Sequence, residues 1–179
     1  MVKGSNDDMN TEHSVERLRS GFVRSNTLVS RLCSVYARER DEEGTSRRFV
    51  ELSKGWWEKL ASREDWRTAA ELGELCAKVC PHEAFGWENW AWALHKQGQT
   101  KQAYKVLAPI LRQLKLSGPP SGRAAYCLAC FCTALGKIEE ASGWLRLAAL
   151  RSVNKEAFRF HVLGEPDLQS FWPKINELA

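Results

Sequence analysis

Apolar residues recur at every third or fourth position through most of this chain, the periodicity of helices with one buried face. Val15, Leu18, Phe22, Val29, Leu32 and Tyr36 mark an amphipathic helix within residues 13–45, closed by the turn-forming run Asp41 to Ser46. Gly21 in its middle costs roughly 1 kcal/mol against alanine, so that helix must draw its stability from packing. Residues 1–12 are polar and read as a disordered tail. At the other end, residues 153–179 read as a capping region. Pro166 suits the first turn of a final helix whose packing face is Phe171, Trp172 and Ile175.

Between these ends the pattern repeats. Ala69, Ala103 and Ala141 each sit in a stretch with an acidic or polar start followed by apolar residues at helical spacing: DWRTAAELGELCAKV, QTKQAYKVLAPIL and KIEEASGWLRLAAL. The first two alanines are 34 residues apart and the next two 38, a difference that the turn-rich run LSGPPSG accommodates. A period near 34 residues holds two helices and a turn. In the middle unit the first helix carries Trp87, Trp90, Ala91 and Leu94, the turn Gly98, and the second helix Ala103, Leu107 and Ile110. The third unit has Leu128, Ala129, Cys132, Gly136, Ala141, Leu145 and Ala148. The first has Trp56, Trp57, Leu60, Ala69 and Cys76, and ends on Pro81. Small residues belong where helices cross closely, and tryptophan and leucine fill the space beside them. One helix pair cannot bury its own apolar face, so stacked pairs over residues 46–152 must share a core. Pro109 within the last helix of unit two removes one backbone bond and is expected to bend it.

These units resemble tetratricopeptide repeats. The resemblance implies an all-α fold of about three helical hairpins forming a short right-handed superhelix, with N- and C-terminal capping helices. The stretches WENWAWALHKQGQTKQAYKVLAPIL, AYCLACFCTALGKIEEASGWLRLA and GEPDLQSFW further resemble a bacterial group of such proteins. That group often has YNLAC in its final repeat and ends in D-P-D-L-x-x-L-W. Cys127 stands where the group usually has asparagine, and Glu165 also departs from its pattern. The resemblance implies a binding role for another protein or peptide and names no partner.

Composition adds limits. An apolar fraction of 44% with 8 tryptophans suits a packed core, and the net charge of +4 does not by itself mark a nucleic-acid binder. No run reaches the roughly 20 apolar residues of a membrane span, and the N-terminus shows no secretory apolar core. The 6 cysteines fall in helical patterns, so reduced thiols in the cytoplasm are the expectation.

Candidate chemistry is sparse. Cys76 and Cys80, Cys127 and Cys130, with His82, have spacings that zinc ligands use, but intervening helices would separate the two pairs, and buried small side chains account for them. The histidines are scattered and no phosphate loop or metalloprotease motif occurs. No enzyme, cofactor or metal is therefore expected. In tetratricopeptide domains that clamp a peptide carboxylate, basic and asparagine residues project from the first helices. Lys54, Asn89 and Arg123 match that pattern, whereas Glu58 and Cys127 do not, and Glu58 would repel the carboxylate. More broadly, Phe85, Glu88, Asn89, Trp92, His95 and Lys96 are expected on the concave inner face, with Trp92 as an anchor or as core. Residues 89–138 carry no acidic side chain, and Lys101, Lys105, Arg112 and Lys115 follow one side of a helix. A solvated face comes first as an explanation, an acidic protein partner next, RNA third. The expected function is an adaptor or assembly factor. A secretion-type chaperone of the same fold is the first alternative, and a nucleic-acid-associated protein using residues 89–138 the second.

Overall fold

The computed structural model describes residues 45–113 and 122–177. They form α1 (Thr45–Ser62), α2 (Trp66–Val79), α3 (Ala84–Lys96), α4 (Thr100–Gln113), α5 (Gly122–Ala134), α6 (Ile138–Arg151) and α7 (Lys155–Leu163), followed by a 3-10 segment, Pro166–Glu177. The described residues are all helical, with no strand. Among them, no helix is long and apolar enough to cross a membrane. The amphipathic helix expected over 13–45 lies outside the described residues.

The same turn joins α1 to α2, α3 to α4 and α5 to α6. In each, the amide three residues past the helix reaches back five positions: Asp65 N to Leu60 O (3.0 Å), Gln99 N to Leu94 O (2.9 Å) and Lys137 N to Cys132 O (2.8 Å). The residue before each donor has positive φ: Glu64 at 55°, Gly98 at 78° and Gly136 at 74°. This left-handed residue closes the orphan carbonyls of the preceding helix. After the turn, Ala69, Ala103 and Ala141 donate to the carbonyls of Asp65, Gln99 and Lys137 at 2.9, 3.0 and 2.9 Å. Asp65 also caps α2, accepting from Thr68 N at 3.2 Å. The three turns fall 34 and 38 residues apart, the intervals of the aligned alanines.

Packing follows chain order, each helix from α1 to α6 lying against the next, while α3 also touches α1 and α5. The α2–α3 contact is the most intimate. A Cβ on Gly73 would stand 2.5 Å from Trp90 N, and one on Gly86 2.3 Å from Ala77 N. The contacts pair Gly73 with Trp90 and Ala77 with Gly86, four residues on along α2 and four back along α3, so the helices run antiparallel and their backbones stay in contact over roughly 6 Å. Ala69, Ala91, Ala103, Ala129 and Ala141 are fully buried, beside Leu72, Leu107, Leu128, Phe131 and Leu145. The buried side chains form two clusters that share Trp90 and Trp92 at their margins. Helix α4 runs through Pro109.

The C-terminal region differs from the single capping helix expected to begin at Pro166. It starts earlier, with α7, whose N-cap Asn154 accepts from Ala157 N at 2.9 Å. After Gly164 the chain turns into the 3-10 segment, where side chains three apart share a face. Leu168 and Phe171 are so spaced and both are buried, and Trp172 Nε1 donates to Val162 O at 3.0 Å. The segment packs on α7 and α5. The side chain of Ile175 lies outside those described.

Candidate functional site: the face of the first helices

The contacts of α3 with α1 and α5 bring the first helix of each pair together, and Arg123 ties all three. From the first turn of α5 its Nη2 donates to Asn89 Oδ1 on α3 at 2.6 Å. Its Nε lies 4.0 Å from Glu88 Oε2, and its guanidinium sits over the Trp57 ring of α1, 5.4 Å from the centroid. A planar cation stacked on indole and bonded to an amide is a use to which arginine is suited and lysine is not. Asn89 is fully buried and Glu88 nearly so, while half of the Arg123 side chain is exposed. Two buried donors at this junction, Trp57 Nε1 and Asn89 Nδ2, have no acceptor among the described residues. Lys54 stands farther along α1, paired with Glu51 Oε1 at 2.6 Å and 6.0 Å from the Phe85 ring. Lys54, Glu88, Asn89 and Arg123 therefore belong to one face, linked across helices by Arg123 and by the reach of Lys54 to Phe85. Trp57, which the repeat alignment placed only as a packing residue, is the contact missed from sequence. Its neighbour Trp56 offered the same residue type and is exposed.

Trp92, His95 and Lys96 have a different neighbour. The C-terminal segment reaches them: His95 Nε2 is 2.7 Å from Asp167 Oδ2, and Lys96 Nζ is 3.4 Å from Glu165 Oε1. The other imidazole nitrogen, Nδ1, is 3.0 Å from Thr100 Oγ1. His95 is buried, and Trp92 packs between Tyr126 and Phe131, both at 6.4 Å between centroids. Lys96 lies over the Trp92 ring at 4.6 Å. Trp92 thus carries a packing duty and is not the bare groove surface its repeat position suggested. Separately, the polar pair Glu165 and Asp167 anchors a segment from the far end of the chain onto His95 and Lys96 at the end of α3.

Hydroxyl, imidazole and carboxylate in the order Thr100, His95, Asp167 are the groups of a nucleophile relay. Here they join the turn after α3 to the C-terminal segment, and His95 is enclosed by Trp92 and Phe131. Cys127 and Cys130 are buried on α5 and, like Cys76, Cys80 and Cys132, free of disulfides. Burial pushes the Cys127 thiol up to about 12, against the opposing pull of Arg123, and burial also raises Cys130 and Tyr126. Such thiols are poor nucleophiles and poor metal ligands. Among the described residues, no three His, Cys, Asp or Glu side chains group to hold a metal. On the second helices Lys101 and Lys105 are exposed on α4, while the side chains of Arg112 and Lys115 lie outside those described.

Compared with family models, curated proteins and solved structures, the chain finds no match.

Proposed function

We propose that this chain is a non-enzymatic binding protein, a tetratricopeptide-type array of three helix pairs curving into a short right-handed superhelix. It grips a protein or peptide on the face of its first helices and acts as an adaptor or assembly factor in the cytoplasm. One observation carries the reading: Arg123 of α5 joins Trp57 of α1 and Glu88 and Asn89 of α3 in one junction, and that junction retains two buried donors without acceptors among the described residues. A buried N–H left unpaired costs about 1–3 kcal/mol, a cost that a carbonyl from a bound chain would remove once the junction opens to admit it. The recurrence of one turn at three places, 64, 98 and 136, supports the array. The spare donors and the exposed half of Arg123 suit a partner rich in acceptors.

A photo-crosslinking residue placed at Lys54 or Arg123, in the full chain in its native host, tests this. The same discrete adduct is expected from both positions and none from Lys101 or Arg146 on the second helices. Equal labelling from both pairs of positions, or no adduct from the first-helix pair, would overturn the reading.

A further inference from the structure

A cleft of about 520 Å³ opens where the start of α5 meets the end of α6 and α7. Its volume lies within the roughly 300–1,000 Å³ of ordinary ligand sites. Gly122 and Ala148 form its floor, a place kept low because a Cβ on Gly122 would meet Arg151 Cβ at 3.2 Å. Tyr126 and Phe158 give it an aromatic wall, edge to face at 6.5 Å between centroids. Arg123, Arg151, His161, Ser152 and Asn154 also line it, and no carboxylate is among its described lining. Arg123 is already committed to Asn89, Glu88 and Trp57. Arg151 is exposed and makes no ion pair or hydrogen bond among the described residues, whereas the neighbouring Lys155 is bonded to the Ala149 carbonyl. The α5 dipole adds positive potential where the helix begins. Among the lining side chains Val153 is apolar and wholly exposed, and Leu150 and Phe160, next in sequence to lining residues, are nearly three-quarters exposed.

We infer that this cleft is a second binding site, for a short acidic segment of a protein partner with an apolar residue beside its carboxylate. Arg151 takes the carboxylate, His161 and Asn154 supply further polar contacts, and the aromatic wall receives the apolar side chain. A guanidinium is suited to this because its fork matches a carboxylate in two parallel hydrogen bonds. Charge complementarity selects the occupant: Arg151 has no counter-charge among the described residues and no carboxylate is among the described lining, so a basic segment is disfavoured. The site rests on the binding role proposed above and adjoins the Trp57–Asn89 junction through Arg123, which lines both.

The probe is the capped peptide acetyl-Asp-Phe-Glu-Leu-amide, titrated into the full chain and followed by NMR of His161 and Tyr126, beside acetyl-Asn-Phe-Gln-Leu-amide. The acidic peptide is expected to bind at least tenfold more tightly than its amide counterpart, and Arg151→Gln or His161→Gln to weaken it at least fivefold without a change in melting temperature. Equal binding of the two peptides, or binding indifferent to both substitutions, overturns the site. Crosslinking from Lys54 in the Arg151→Gln protein separates the two readings. If that adduct persists while the peptide fails to bind, the cleft falls and the first-helix face stands.

Discussion

A methyl group at Gly73 or Gly86 would press into the backbone of the facing helix, at 2.5 and 2.3 Å, whereas one at Gly55 would meet nothing within 4 Å. The sign of a glycine-to-alanine change should therefore differ along this chain. Alanine gains about 1 kcal/mol in helix propensity, but forcing two backbones apart costs about 3 kcal/mol. Gly73→Ala and Gly86→Ala are expected to lose about 2 kcal/mol in urea unfolding, and Gly55→Ala to gain up to about 1 kcal/mol. Three changes of the same sign would contradict the packing. Sequence alone could not separate these residues, because an isolated glycine in a helical pattern reads the same whether its facing surface is backbone or water. Trp92 poses a similar problem. Its place in the repeat suggested exposed surface, and only the ring contacts with Tyr126 and Phe131 give it a packing role. Trp92→Ala should cost on the order of 3 kcal/mol in thermal unfolding, and a loss below 1 kcal/mol would return the residue to the surface.

At the scale of elements, the turns are the most legible part. Gly98 and Gly136 signalled helix ends from sequence, and both occupy the left-handed position. Glu64 fills the equivalent place with a residue that finds it costly, by roughly 1–2 kcal/mol. Glu64→Gly is expected to raise stability by up to about 1 kcal/mol and Gly98→Ala to lower it by about 1 kcal/mol, read from denaturation midpoints. Helix α7 was not legible, because Phe158, Phe160 and Val162 alternate with a period of two instead of 3.6, and Phe160 is exposed. Pairs two and three are also joined through Glu140 of α6, whose Oε1 accepts from Tyr104 of α4 at 2.7 Å and from Trp144 at 3.3 Å. The Tyr104 hydrogen bond, with help from Trp144 and Lys137, holds the Glu140 carboxyl below its usual range. A carboxyl depressed on folding stabilises the protein above its unfolded pKa and loses that contribution as pH falls through the folded one. Tyr104→Phe should therefore shrink the acid-side decline of melting temperature while lowering stability at neutral pH. An unchanged acid limb would show that Glu140 does not contribute.

Over the whole molecule, the helical period anticipated an all-helical chain, and the 34- and 38-residue intervals are those at which one turn recurs, since a pattern fixed by local chemistry repeats wherever that chemistry does. What they could not foretell was the meeting of Asp167 with His95, 72 positions away, or of Arg123 with Trp57. Both depend on how successive helices pack, a property of the whole arrangement that no single residue encodes. The result divides the first-helix face in two. The tips of α3 and α5 are covered by the chain's own C-terminal segment, while the part around Lys54, Trp57, Asn89 and Arg123 holds the unsatisfied donors. Hydrogen exchange of the full chain, alone and with the partner recovered by crosslinking from Lys54, tests this arrangement most directly. Protection is expected to rise in α1, α3 and α5 and to stay unchanged in α2, α4 and α6. Protection confined to the second helices, or spread evenly over all six, would contradict a partner held by the first helices.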